Sequence, residues 1–174
     1  MSFAYGTQVM GPEGFRPIES YAVGDEAMGA DMAGQQPVWT PQIVAFSNGV
    51  PPNPHEDHMV YLTYGEAGAM TVTLDQSFLL MDGALKGATY LERGDELVGA
   101  DGGAVLLTQV AVGRFQGGVH AIALAPMDWS GSADGHLLNA GGLVAGDYIA
   151  NQHALEAGQA KGGSSPEQRP LDYD

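Results

Sequence analysis

At 174 residues the chain can bury one good hydrophobic core and is too short for two independent domains of ordinary size. Its 6 Lys plus Arg against 21 Asp plus Glu leave a net charge of −15, a field that repels phosphate backbones and anionic lipid surfaces and excludes a direct nucleic-acid partner. The absence of cysteine removes disulfides, thiolate metal sites and thiol nucleophiles, and no apolar run approaches the roughly 20 residues needed to span a bilayer.

With 26 Gly, 10 Pro and only 16% charged residues, the composition predicts many short strands joined by tight turns, an all-β domain. The N-terminus lacks the basic start and apolar core of a signal peptide. Residues 3–10 read as a first strand ending in the turn Gly11-Pro12-Glu13-Gly14. Phe15 to Tyr21 leads to a bend at Gly24-Asp25, and Glu26 to Ala30 returns as a strand. Residues 32–36 read as a loop. Val38 to Phe46 is the next strand, with Pro41 marking an edge or a bulge because proline cannot donate to a ladder.

Residues 47–58, SNGVPPNPHEDH, read as the longest loop of the first half. Met59–Tyr64 and Ala69–Leu74 form a hairpin around Gly65 to Gly68, and Ser77 to Met81 follows. Gly87 to Leu91 leads to a second bend, Val105 to Phe115 is a long strand, and Gly117-Gly118 turns into Val119 to Ala125. Residues 126–135 read as a loop with Trp129 folded back onto the body. His136 to Ile149 reads as two short strands bent at Gly141-Gly142. One or two helical turns around His153 to Ala157 then give way to a polar tail, so residues 1–149 form the domain and 150–174 the tail.

One segment occurs twice. Residues 22–31 read AVGDEAMGAD and residues 92–101 read ERGDELVGAD, with Asp25 answered by Asp95 about 70 residues later, longer than a solenoid period. A β-like run follows each copy, Gln42 to Phe46 and Gln109 to Val112, and an apolar run with a Gly turn precedes each. Two similar halves are expected, each of strand, turn and strand. The paired acids Asp25-Glu26 and Asp95-Glu96 are read as turn chemistry, the Asp bonding its own backbone and the Glu facing water.

Residues 2–149 resemble the Hint fold of inteins, hedgehog autoprocessing domains and bacterial intein-like domains. The resemblance rests on the order of several motifs. Ser2-Phe3-Ala4-Tyr5-Gly6-Thr7 with Gly24-Asp25 is similar to the family's opening nucleophile, Gly-Thr and Gly-Asp. Thr73-Leu74-Asp75-Gln76 followed by Phe78 to Leu80, Asp82-Gly83 and Gly94-Asp95 is similar to its Thr-x-x-His segment, and His136 to Asp147 is similar to its closing segment. The resemblance implies an all-β disc with pseudo-twofold internal symmetry.

It also implies roles. Ser2 stands at the nucleophile that converts the preceding amide to an ester, a chemistry that needs a base or a strained bond when the nucleophile is a hydroxyl. Thr73 would position that bond. Gln76 stands where a histidine protonates the departing nitrogen, and an amide cannot act as an acid near neutral pH. His136 matches the late histidine that assists the downstream step. Gly146 and Asp147 replace the terminal His-Asn pair, and Asn151 is an alternative terminal residue. The altered acid and terminal pair imply loss of splicing with self-cleavage as the surviving chemistry, single-turnover and without a cofactor. Its partners would be polypeptide segments fused to the domain.

Other features carry less. His55-Glu56-Asp57-His58 is read as a solvated loop and not a metal site, lacking the helical spacing of HExxH. His120 is read as a hydrogen-bonded sheet residue. The alternative function is a non-catalytic β module that binds a partner or builds an assembly, such as a surface or virion component.

Overall fold

Two Gly-Asp bends with the same geometry frame the molecule. In the computed structural model, which describes residues 1–52 and 56–158, the Asp25 carboxylate accepts the Ala22 N–H at 2.9 Å and the Asp95 carboxylate accepts the Glu92 N–H at 2.9 Å. Gly24 and Gly94 have φ of 97° and 96°, a region that costs a residue with a Cβ. Each glycine N–H bonds a carbonyl at 2.8 Å, that of Val44 in one half and Leu107 in the other. Glu26 and Glu96 are both exposed. The repeated acids are therefore turn chemistry, as their repetition predicts.

Each bend belongs to a matching unit. In the first half β1 (Phe3–Ala4) precedes the hairpin of β2 (Gln8–Gly11) and β3 (Gly14–Pro17), a 3-10 turn at Ile18–Ser20, the bend, and β4 (Glu26–Ala33). The second half has the hairpin of β8 (Ser77–Leu79) and β9 (Leu85–Gly87), a 3-10 turn at Ala88–Tyr90, the bend, and β10 (Glu96–Val98). Even the anchoring bonds correspond, since Ile18 N–H donates to the Thr7 carbonyl and Ala88 N–H to the Gln76 carbonyl, both at 2.8 Å. Arg16 pairs with Asp25 at 3.1 Å and Lys86 with Asp95 at 3.8 Å. The Ala22 N–H and the Arg16 guanidinium hold Asp25 below the usual carboxylate range.

Long strands join the halves: β5 (Gln36–Val50), β6 (Glu56–Tyr64), β7 (Gly68–Val72), β11 (Ala104–Gln116) and β12 (Val119–Leu124). The hairpin of β13 (Leu137–Ala140) and β14 (Leu143–Gly146) leads into the one α-helix among the described residues, α1 (Tyr148–Glu156). Among the described residues fourteen strands run β10-β11-β6-β7-β1-β12-β5-β4-β13-β14-β8-β9, with β2 and β3 attached through β13, and every pairing there is antiparallel. Bridges from Leu80 to Leu97 and from Gly99 to Leu143 return β10 toward β8 and β14, so the ribbon closes around its core. Phe3, Ile18, Tyr21, Phe78, Leu97 and Ile122 are fully or almost fully buried there. A smaller cluster, including Leu137, Val144, Ala150 and Ala154, packs α1 against the body.

The long loop expected at residues 47–58 is largely strand. Phe46 to Val50 pairs with Val119 to Ala123, and Glu56 to His58 pairs with Arg114 to Gln116. Remote partners supply a ladder that outweighs the local turn chemistry of Asn48-Gly49. His55 lies outside the described residues. Likewise β4 runs on to Ala33 and turns at Gly34, with φ of 64°, shortening the loop expected at 32–36. Pro41 sits opposite Met28 in the part of β5 whose ladder partner is β4, where its missing N–H costs nothing. Helix α1 starts earlier than the sequence suggests, and residues 159–174 of the expected tail lie outside the described residues.

Candidate functional site

Three elements meet at the Met1–Ser2 peptide bond. Pairing of Phe3 in β1 with Val72 in β7 lays the first residues beside the segment 73–77. Thr73 N–H donates to the Ser2 carbonyl at 3.0 Å. The Thr73 hydroxyl oxygen accepts the Ser2 N–H at 2.8 Å and the Met1 amine at 2.7 Å. Its own proton has the Asp75 carboxylate at 2.9 Å, and Asp75 also forms an ion pair with the Met1 amine. Asp75 was not among the site residues expected from sequence, although it sits inside the Thr73-to-Gln76 motif.

Gln76 is fully buried. Its Nε2 donates to the carbonyls of Gly146 at 2.8 Å and Ser77 at 3.0 Å. Both partners are acceptors, which fixes the orientation of the amide. No group in these bonds can deliver a proton as an acid.

Asn151 reaches the same place from α1. Its Oδ1 accepts from the Ser77 N–H at 2.9 Å and the Ser77 hydroxyl at 2.5 Å. Its Nδ2 donates to Gln76 Oε1 at 2.9 Å and to the Met1 carbonyl at 3.4 Å. The structure thus brings Ser2, Thr73, Gln76 and Asn151 together.

His136 and Asp147 form a separate pair. Both are buried, at 2% and 1% exposure. His136 Nδ1 meets Asp147 Oδ2 at 2.7 Å, and Nε2 donates to the Asp128 carbonyl at 3.0 Å. Asp147 also accepts the Leu124 N–H at 2.8 Å, and its other oxygen accepts the Ala150 N–H at 3.0 Å. The last bond makes Asp147 the N-cap of α1. An Asp placed directly before YIANQHALE is a capping signal that reading it as a chain-terminal residue passed over.

Burial works against charge on the His136 imidazole, but the Asp147 carboxylate and the Asp128 carbonyl hold its proton, and it stands above the usual imidazole range. Burial pushes Asp147 up, against the pull of His136 and of the Leu124 and Ala150 N–H groups. Nδ1 and Oδ2 are close enough to hold a proton between them, and the pair titrates as a unit.

His120 is almost fully buried in β12, with Nε2 2.8 Å from the Ser47 hydroxyl and Nδ1 without a hydrogen-bond partner among the described residues. Burial lowers its affinity for a proton, opposed by the charge of Glu19. Glu56 to His58 opens β6, and among the described residues no three His, Asp or Glu side chains converge as metal ligands. No helix among them is long and apolar enough to cross a membrane.

No protein-family model matches the sequence, and no curated protein sequence matches it. Solved structures do match. A bacterial intein-like domain from Clostridium thermocellum is 17% identical with a TM-score of 0.69, the match covering 84% of this chain and 97% of that one. A DnaB intein from Synechocystis sp. PCC 6803 is 11% identical with a TM-score of 0.64, covering 84% and 99%. The gp41-1 intein is 13% identical with a TM-score of 0.62, covering 84% and 98%. With pairing, duplication and these likenesses in agreement, the chain has the all-β, intein-like Hint fold.

Proposed function

We propose that this chain is a self-processing domain that acts on the Met1–Ser2 bond of a precursor and has lost the chemistry of splicing. The observation that carries the proposal is the bond from the Ser2 N–H to Thr73 Oγ1 at 2.8 Å, which holds the nitrogen that would leave. Ser2 Oγ attacks the Met1 carbonyl carbon through a five-membered ring. The new C–O bond forms, the C–N bond breaks, and the proton lost by the hydroxyl ends on the Ser2 nitrogen, which becomes an amine. The Met1 nitrogen, acylated in a precursor, retains one N–H for Thr73 or Asp75.

Downstream chemistry has no comparable support. Asp147 is bound to His136 and caps a helix, and the Asn151 amide is held by Gln76, Ser77 and Met1. Without an acid at Gln76 the acyl shift is slow, and because an amide is more stable than an ester near neutral pH an added nucleophile is needed to draw the reaction on. A second reading, a non-catalytic β module for binding or assembly, is favoured by that same buried amide.

The deciding experiment fuses a folded reporter upstream of Met1 and another downstream of the chain, and follows intact mass with and without hydroxylamine. The expected product is the upstream reporter ending in a Met1 hydroxamate, with the remaining chain starting at Ser2 and still joined to the downstream reporter. A full-length mass unchanged over days would remove the self-processing reading in favour of the binding module.

A further inference from the structure

The carbonyl of the Met1–Ser2 bond has a partner from the far end of the described chain. Asn151 Nδ2 lies 3.4 Å from the Met1 oxygen, although the two residues are 150 positions apart. The assignment of atoms is unambiguous. The Ser77 backbone N–H can only donate, so the Asn151 atom 2.9 Å from it is Oδ1. The remaining atom is the NH₂ group, with one hydrogen for Gln76 Oε1 at 2.9 Å and one for Met1.

That group is locked in place. Asn151 is 1% exposed and Gln76 is fully buried. Their amides face each other, Gln76 Nε2 lying 3.3 Å from Asn151 Oδ1 and Asn151 Nδ2 2.9 Å from Gln76 Oε1. Asp147 caps the helix that carries Asn151, and the Asn151 N–H donates to the Asp147 carbonyl at 2.9 Å. The phenol ring of Tyr148 stacks on Phe46 of β5 with centroids 4.8 Å apart, anchoring the same helix turn. A donor fixed in this way needs no reorganisation when charge develops on its acceptor.

We infer that Asn151 is a catalytic residue of the acyl shift, donating from Nδ2 to the Met1 oxygen and stabilising the negative charge that builds there during attack by Ser2 Oγ. This assignment rests on the self-processing reading above. It replaces a role for Asn151 at a downstream bond, because the amide faces the upstream one. Gln76 then acts as a positioning residue, holding Asn151 through Oε1. A contact of 3.4 Å in the resting chain shortens as the oxygen gains charge.

Asn151→Asp and Asn151→Leu in the reporter fusion test the assignment. The aspartate keeps an oxygen for Ser77 and preserves shape, and a thermal melt identifies a variant that fails to fold. The expected result is a fall of about 10²–10³-fold in hydroxylamine-dependent release, the effect of removing one such donor, with release abolished in Ser2→Ala. Release within twofold of the parent in a folded variant would overturn it.

A second readout does not depend on cleavage. Met1-Ser2 is the single Met-Ser step in the sequence, so ¹³C′-methionine with ¹⁵N-serine gives one carbonyl-to-amide NMR peak for that bond. Loss of the Asn151 donor should move the Met1 ¹³C′ resonance upfield in both variants. An unmoved peak would overturn the assignment even if release slowed. A parent that never releases its reporter overturns the acyl shift and with it the catalytic role, while the peak then shows whether Asn151 holds the bond.

Discussion

Asp147 and His136 meet at 2.7 Å in a nearly water-free setting, and the same carboxylate caps the helix that carries Asn151. Removing one partner of a buried charged pair costs about 3–5 kcal/mol because the other is left uncompensated. Asp147→Ala should therefore lower unfolding stability by about that amount in urea titration, with loss of the α1 signal at lower denaturant than the sheet.

Raised proton affinity gives this pair a pH signature. His136 and Asp147 are both raised in the folded chain, so the folded state keeps a proton that the unfolded chain releases above an imidazole pKa of about 6.5. The His136 contribution is complete below that pH and is lost as pH rises through its raised folded value, while that of Asp147, raised from about 3.8, is already being lost above that lower pH. Melting temperature should fall as pH rises from about 6.5, and His136→Gln should flatten the slope. A parent slope that His136→Gln leaves unchanged would assign it to other groups.

Gly24 and Gly94 offer a test of the duplication by stability alone. Both hold the left-handed region and neither has an atom within 4 Å of where a Cβ would stand. Alanine at either site meets no clash and costs only backbone strain, about 1–2 kcal/mol. Gly24→Ala and Gly94→Ala should lose equal stability within a few tenths of a kcal/mol, measured by chemical denaturation. Gly49→Ala should lose more, since its Cβ would lie 2.3 Å from the Val119 carbonyl oxygen.

Gly146 has no room for a side chain because Asn151 and Ser77 fill it. A Cβ there would stand 2.3 Å from the Ser77 hydroxyl and 2.9 Å from Asn151 Oδ1. Gly146→Ala should displace Asn151, slow hydroxylamine-dependent release by at least tenfold, and move the Met1 carbonyl resonance in the same direction as Asn151→Leu. Normal release from a folded Gly146→Ala chain would argue against a close-packed donor.

The far end of α1 is clamped by the indole of Trp129, which stacks on the His153 ring with centroids 3.8 Å apart and planes 11° from parallel. Such a pair contributes about 0.5–1.5 kcal/mol beyond its buried area. Trp129→Ala should raise amide hydrogen exchange in residues 152–157 several-fold while leaving β5 and β12 protected.

The features visible in the sequence were those whose causes are local. A Gly-Asp bend needs one glycine at positive φ and one carboxylate for its own backbone, and AVGDE and ERGDE state both. Hairpins around Gly65 to Gly68 and Gly141-Gly142 follow for the same reason. Residues 47–50 misled because their strand is made by β12, more than 60 positions later, which local turn propensity cannot reveal. Thr73 beside Ser2 was legible through motif order, whereas Asp75 was hidden by its ordinary polar appearance. Asn151 stands out as a residue, but its direction depends on a helix whose capping residue, Asp147, the motif order places at a terminal position.

The contact from Asn151 to Met1 ties the Met1–Ser2 bond to the last described element. During synthesis residue 1 leaves the ribosome long before residue 151, and the β-rich body can begin to pair while that bond still lacks its carbonyl partner. The site is thus complete only once α1 has docked, and a chain stalled before it would leave Gln76 without the amide it faces.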